Sequence, residues 1–510
     1  MTAAAGGNEM GEETKRERYT AAEAMLDALR ETGVTHLFCN LGSDHPALIE
    51  ALARAKEEGR PAPEALICPH EITAMSAAHG YALLSGKTAG VFVHTDVGTQ
   101  NLGGTVHNAA RSRVPVFIFA GETPFTLEGE LPGSRNTHVN HLQNVYDQRG
   151  IVRPYVKWEY DIRTGRNVKR LVYRAVQLAE SDPQGPVYLT GAREVLVEEA
   201  VTYPDPPAKW KPVEKIPLPA SGVEAIVQAL ASAENPLLIT SYLGRSEEAV
   251  GELVALCEQL AIPVVEVNPS HMNFPATHPL HLGYDAQEFV PQADVILAID
   301  TDAPWVVLRT RPSDACRVFT IDVDPLKEDI PVWYVPSDHF FRADSHTALR
   351  QLNACVRERA VRANPERLAR IREVHDRQRR EWAGKEERAP EGVITPERLT
   401  ACLRKVIDDD TIVLNEAITN AMTVFQHLPR TKPGTMFANG GTSLGWAGGA
   451  ALGAKLARPD KTIVSVTGDG SYLAGVPSSV YWMARRYRLP FLTVIYNNQG
   501  WNATKQNVLR

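Results

Sequence analysis

Thr462-Ile-Val-Ser-Val-Thr467 runs into Gly468-Asp469-Gly470-Ser471, and Phe491-Leu-Thr-Val-Ile-Tyr496 runs into Asn497-Asn498. Both runs are short, apolar and rich in β-branched or aromatic residues, so each reads as a buried strand. Between them lies a helical stretch with Pro477 near its start; it extends to about Tyr487 and is broken by Leu489-Pro490. A strand–helix–strand unit of this length closes as a right-handed parallel crossover. Neighbouring strands lie about 4.8 Å apart, so Asp469 and Asn498 are expected side by side at one sheet edge. A carboxylate and an amide oxygen there suit Mg²⁺, which takes hard oxygen ligands at about 2.1 Å and shares its shell with phosphates. The glycines let backbone N–H groups approach a diphosphate, and the helix start adds positive partial charge. Gly-Asp-Gly alone is a common turn. Its pairing with Asn-Asn at the next strand end is the specific signal.

The same alternation of β-rich runs and helical patterns extends back along the chain, the mark of parallel α/β sheets. Strands are expected at 33–40, 65–69, 90–95 and 114–121, then at 236–240, 263–267, 293–299 and 317–322, and finally at 411–415, 435–439, 462–467 and 491–496. The chain thus divides into three parallel-sheet α/β domains, at 19–200, 219–356 and 392–510. A polar lead at 1–18, a proline-rich linker at 201–218 and a charged helical connector at 357–391, expected to be solvated, complete it. At roughly 150 residues per domain, 510 residues with 44% hydrophobic and 23% charged content suit this division. A net charge of −7 gives no basic footprint for nucleic acid. No apolar run approaches the roughly 18 residues of a membrane span, and the polar start does not read as a signal peptide. The six scattered cysteines form no CxxC pair and fit a reducing cytoplasm.

In an open parallel sheet, ligands bind outside the carboxyl ends of the strands. At such an end in the first domain stands His70-Glu71, opening a helix rich in small residues, Ile72-Thr-Ala-Met-Ser-Ala-Ala-His-Gly-Tyr-Ala82. A glutamate there has its desolvation and the helix dipole in opposition, and desolvation helps it hold or share a proton. Taken alone it is a common first-turn acid.

Gly468-Asp469-Gly470 with Asn497-Asn498 resembles the cofactor signature of thiamine-diphosphate enzymes of the acetolactate synthase, benzoylformate decarboxylase and benzaldehyde lyase superfamily. The segment from His70 to Ala82 resembles the catalytic-glutamate segment of that family. Asp96-Val-Gly-Thr-Gln-Asn101 stands where the family has a GPGxxN turn, matching at Gly98 and Asn101. Gly440-Gly-Thr-Ser-Leu-Gly-Trp-Ala-Gly-Gly resembles the segment beneath the cofactor. The resemblance covers residues 20 to 510 and implies pyrimidine-binding, central and diphosphate-binding domains in that order. It implies thiamine diphosphate and Mg²⁺, with Asp469, the Asn498 side chain and the Gly500 carbonyl on the metal. Gly468, Gly470, Ser471 and Asn498 would serve cofactor binding. Glu71 would act on the aminopyrimidine ring, the Thr442 carbonyl would accept from its amino group, and Leu444 would wedge between the two rings. His45 and Gln143 are the expected substrate-side groups, with His70, His79, His94, His107, His138 and His141 as alternatives to His45.

The implied reaction is decarboxylation of a 2-keto acid, carboligation to an acyloin or acetohydroxyacid, or both. An aromatic, benzoylformate-type decarboxylase is one alternative. A non-catalytic cofactor-binding subunit is another. Because Glu71 of one subunit would serve the Gly-Asp-Gly domain of another, a homodimer or homotetramer is implied. Departures narrow the field. Thr504 stands where simple pyruvate decarboxylases carry a glutamate, and the middle domain lacks the GARFDDR-type segment of FAD-binding members, so FAD is not expected. Twelve residues follow Asn498, and a C-terminal substrate-covering lid is not expected within them.

Overall fold

The computed structural model describes residues 18–203, 207–387 and 390–509. The lead read at 1–18 therefore falls outside the described residues except for Arg18. Each expected apolar run forms a strand. The first sheet contains β1 (His36–Asn40), β2 (Glu64–Ile67), β3 (Ala89–Val93), β4 (Val116–Glu122), β5 (Trp158–Asp161) and β6 (Val187–Ala192), in the order β2-β1-β3-β4-β6-β5. The second contains β7 (Pro236–Thr240), β8 (Val264–Glu266), β9 (Val295–Ile299), β10 (Arg317–Asp322) and β11 (His339–Arg342), in the order β11-β10-β9-β7-β8. The third contains β12 (Ile412–Glu416), β13 (Met436–Phe437), β14 (Ile463–Gly468) and β15 (Leu492–Tyr496), in the order β13-β12-β14-β15. The pairings within all three are parallel. Central strands such as β3, β7 and β9 are buried at every residue, as helices on both faces of a parallel sheet require.

Three strands lie outside the sequence reading. β5 and β11 are edge strands whose charged and aromatic residues stay partly or largely exposed, so neither carries an apolar run. β6 does carry one, Val187-Tyr-Leu-Thr190, and its six residues are buried. The expectation of a solvated connector needs correction. Its helix, Pro365–Glu387, buries Arg367, Ile371 and His375. Arg367 donates to the carbonyls of Ala233 and Leu260, and Arg379 donates to the Ala276 carbonyl at 2.6 Å. Long basic side chains here strap the helix to the central domain while keeping a polar outer face.

The first and third domains meet through two small-residue helices, Glu71–Ser85 and Ala447–Ala457. An added Cβ at Gly80 would lie 2.2 Å from the Ala450 carbonyl oxygen, and one at Gly453 would lie 1.9 Å from that of Ala77. Such an approach is open only to residues without a side chain. Gly453→Val is therefore expected to force the helices apart and destabilise the fold by about 3 kcal/mol. A urea-unfolding midpoint equal to wild type would contradict this. The first and central domains are joined by buried charges in pairs. The Arg113 guanidinium donates to Asp302 at 2.8 Å and lies 4.2 Å over the Tyr242 ring, while Lys327 donates to Asp322 at 2.6 Å and to Tyr242 at 2.7 Å. Removing one member of such a set leaves a buried charge uncompensated.

Candidate active site

β1, β2 and β3 all end at the same edge of the first sheet, and Glu71 sits among their ends. It opens its helix behind His70, whose Nδ1 caps the Ile72 N–H at 3.2 Å. The Glu71 carboxyl is 6% exposed. Oε1 accepts from the Asn40 amide at 2.9 Å and Oε2 from the Asn101 amide at 3.1 Å. A Cβ at Gly98 would lie 3.3 Å from Oε1, so the missing side chain there leaves the carboxyl its room. Each oxygen is thus held by a neutral donor. The nearest cationic candidate, His70 Nδ1, stands 3.9 Å away. The carboxyl is thus buried and fixed by amides rather than by a guanidinium or ammonium.

The expected substrate-side residues also gather at this edge, by way of groups the sequence reading did not single out. His45 is fully buried, with Nδ1 2.8 Å from Asp44 Oδ1. The same oxygen lies 2.5 Å from His94 Nδ1. His94 follows β3 directly and is only half-buried. Thr95 donates its N–H to Asp44 Oδ2 at 3.2 Å and its hydroxyl to Gln143 at 3.3 Å. His45 and Gln143 therefore stand on either side of Asp44 and Thr95, and His94 is the histidine with an open face. Hydrogen bonding to Asp44 raises the His94 pKa against the opposing effect of burial. Burial pushes the Asp44 carboxyl up, but hydrogen bonds from His45 and His94 outweigh it and hold the group below the usual carboxylate range.

The loop from Gly440 to Trp446 presents alternate residues outward. Thr442 and Leu444 are exposed, and Leu444 at 41% is not packed in the core. Ser443 between them turns inward. Its carbonyl accepts from Asn108 at 2.9 Å and Asn439 at 3.0 Å, and its N–H donates to Asn108 Oδ1 at 3.0 Å. Thr442 takes a left-handed φ of 60°, fixed by its N–H donating to Asn439 Oδ1 at 2.7 Å. The loop is anchored below by Glu416 at the end of β12. This buried carboxyl accepts from the N–H groups of Gly445, Trp446 and Ala447 at 2.9, 3.0 and 2.8 Å. Burial pushes its pKa up to about 7 against the pull of those amides. Glu416 was not read from the sequence. An acid ending an otherwise apolar run, Ile412-Val-Leu-Asn-Glu416, was the available signal.

In the third sheet, β14 and β15 are adjacent and in register, with Gly468 opposite Tyr496. Asp469 and Ser471 open the short helix Asp469–Ala474, and Ser471 is buried. Asp469 is half-buried and Asn498 exposed. Asp469 Oδ2 and Asn498 Oδ1 each lie 3.1 Å from the Gly500 N–H. Two oxygens of the hard type thus converge from neighbouring strand ends, which fits a divalent cation with phosphate ligands. Gly500 meets them through its N–H, while its carbonyl accepts from the Asn502 N–H at 3.0 Å. Gly470 lies under the Trp501 ring, 2.2 Å from where a Cβ would stand.

Three family models match the chain in order: the thiamine pyrophosphate enzyme N-terminal TPP binding domain at residues 19–151, the central domain at 223–352 and the C-terminal TPP binding domain at 418–509. Benzoylformate decarboxylase of Pseudomonas aeruginosa is 26% identical over 498 residues, covering 95% of this chain and 87% of that protein. The acetolactate synthase large subunit of Haemophilus influenzae is 23% identical, covering 96% and 84%. The solved thiamine diphosphate-dependent 4-hydroxybenzoylformate decarboxylase of Rhodococcus jostii superposes with a TM-score of 0.77 at 23% identity, covering 96% of this chain and 88% of that one. At that identity the last likeness speaks for the fold.

Proposed function

The chain belongs to the thiamine-pyrophosphate-dependent enzyme superfamily, and from that premise we propose that it decarboxylates a 2-keto acid, joins the resulting fragment to a second carbonyl, or does both, with Mg²⁺. One observation carries the reading: Asp469 and Asn498 bring their side-chain oxygens onto a single N–H from two neighbouring strand ends. Moved from that N–H to a cation, the same two oxygens hold Mg²⁺ against a diphosphate. Gly468, Gly470 and Ser471 would line its approach, and the Gly500 carbonyl would be the third protein oxygen for the metal in place of its bond to the Asn502 N–H. Bound there, the cofactor supplies an acceptor for the electron pair released when the bond beside the keto carbonyl breaks.

The remaining roles belong to the chain's own residues. Glu71 would be the residue that meets the pyrimidine ring and passes a proton to it. Leu444, exposed on a loop clamped at both sides, would pack between the two rings of the cofactor, and the Thr442 carbonyl would accept from its amino group. His94, with Gln143 beside it and His45 buried behind Asp44, faces the substrate. Glu71 and the Asp469 loop come together across a pairing of two chains, which makes the working unit a homodimer or homotetramer.

An aromatic substrate is the second reading. It is favoured by the benzoylformate decarboxylase among the relatives. Assaying pyruvate and benzoylformate with thiamine diphosphate and Mg²⁺, with CO₂ release and product analysis, separates the two. Turnover of at least one keto acid is expected. A chain that binds the cofactor yet turns over no keto acid or acyloin would instead be a non-catalytic subunit.

A further inference from the structure

Resting on the reading above, we propose that Glu416 is the positioning residue that fixes the ring-side loop, 440–446, against the diphosphate-side helix, Asp469–Ala474, so that its carboxylate governs the reactivity of the bound cofactor rather than its affinity. Glu416 is 3% exposed. Oε1 accepts from the N–H groups of Gly445 and Trp446 and, at 3.4 Å, from the Asn439 amide, while Oε2 accepts from the Ala447 N–H. Asn439 extends the hold: its Oδ1 accepts from the Thr442 N–H at 2.7 Å, and its amide donates to the Ser443 carbonyl at 3.0 Å. One carboxyl thus governs the backbone on both sides of Leu444, directly or through Asn439.

The same carboxyl stands beside the other end of the site. In the pairing of β12 with β14, Glu416 lies opposite Thr467, which leads into Gly468-Asp469. Gly445 takes a left-handed φ of 98°, and a Cβ on it would stand 2.7 Å from the Ala474 carbonyl carbon. A Cβ at Gly475 would lie 3.1 Å from the Gly445 carbonyl oxygen. The loop therefore rests on the end of the helix that Asp469 opens, and the residue making that contact is one that Glu416 pins by its N–H.

Only the carboxylate can satisfy every donor here. Three N–H groups converge on it, and a carboxylic acid or a glutamine would replace one of its acceptor sites by a donor, leaving a buried N–H without a partner. The groups bonded to it are neutral amides, and the small void beside it is lined by the hydroxyl-bearing Ser465, Thr467, Ser471 and Thr493. The titratable groups on the elements packed against it are Asp469, Tyr472 and Tyr481, and His79 of the first domain. His79 accepts from Trp446 Nε1, and burial pushes its pKa down to about 3, so it stays neutral around pH 7. Burial pushes Glu416 itself up to about 7 against the pull of its amides. As pH falls through that value the carboxyl takes a proton, one N–H loses its acceptor, and the loop loosens.

Hydrogen–deuterium exchange of the cofactor-free chain, read by mass spectrometry over residues 439–447, tests the hold without turnover. After correction for the intrinsic pH dependence, wild-type amides there are expected to exchange about 10-fold faster at pH 6 than at pH 8, and those of Glu416→Gln equally fast at both. With thiamine diphosphate and Mg²⁺ added, Glu416→Gln is expected to bind both within about threefold of wild type, while C2–H exchange and kcat fall about 10²-fold at unchanged KM. Glu416→Asp, which keeps a carboxylate, is expected to recover about 10-fold of that loss. Wild-type protection that is the same at pH 6 and pH 8 overturns the proposal. So does a C2–H exchange rate that Glu416→Gln leaves alone, or a loss of cofactor affinity as large as the loss in rate. The wild-type pH comparison needs no variant, so a Glu416→Gln chain that fails to fold leaves that test standing. A wild-type chain that binds no thiamine diphosphate strikes the functional reading, and the pH-dependent protection then decides whether Glu416 holds the loop.

Discussion

Glu71→Gln is expected to leave thiamine diphosphate and Mg²⁺ affinity near the wild-type value while slowing C2–H exchange of the bound cofactor by about 10²–10⁴-fold, the usual range for a positioned acid–base group. The substitution is nearly isosteric, and the surroundings can absorb it. Both partners of Glu71 are asparagine amides, at 2.9 and 3.1 Å, and either can rotate to present its oxygen to the new glutamine NH₂. The helix N-terminus keeps its His70 cap. What disappears is the ionisable carboxyl between the two asparagine amides. Deuterium exchange followed by NMR is the measurement. Exchange at the wild-type rate would show that the proton handling lies elsewhere.

Asp469→Ala is expected to produce the opposite pattern. Here the charged oxygen of the pair on the Gly500 N–H is lost, leaving Asn498 alone. Mg²⁺ and thiamine diphosphate affinity should fall together by about 100-fold, roughly 2.7 kcal/mol, because the cation links protein to diphosphate. Fold stability should be nearly unchanged, since Asp469 is only half-buried and forms no ion pair among the described residues. Calorimetric titration in Mg²⁺ reads the loss directly. Normal affinity would refute the metal role. Together the two variants separate the ends of the site, one affecting reactivity without binding and the other binding first.

Much of this architecture is legible in the sequence because the relevant elements are buried on both faces. Runs such as Ile463–Thr467 and Val295–Ile299 must be continuously apolar in a parallel sheet, and their ends must be where polar residues return. That placed Asp469, Asn498 and Glu71 at strand ends without coordinates. Edge strands escape the same logic, since β5 and β11 need not bury both faces. The site's supporting groups were harder to read for a different reason. Asn40, Asp44, Asn108 and Glu416 act on partners 29 to 335 residues away in the chain, and no local pattern distinguishes an asparagine that anchors a loop from one that faces solvent. The histidines show the same limit. His45 and His94 each follow a strand, and only the packing against Phe119, whose ring centroid lies 6.0 Å from that of His45, shows which of them is enclosed.

The connector illustrates how composition alone misleads. Its helix is among the most charged in the chain, yet Arg367 and Arg379 reach inward to carbonyls. Charge density reads as solvation unless the long aliphatic stems are considered.

The most direct test is a crystal structure of the chain grown with thiamine diphosphate and Mg²⁺. The account predicts a metal ion bridging Asp469 and Asn498 to the diphosphate, with Glu71 of one chain within hydrogen-bonding distance of the pyrimidine ring held by another. A cofactor bound away from the ends of β14 and β15, or a pyrimidine ring that no Glu71 carboxyl reaches, would contradict it.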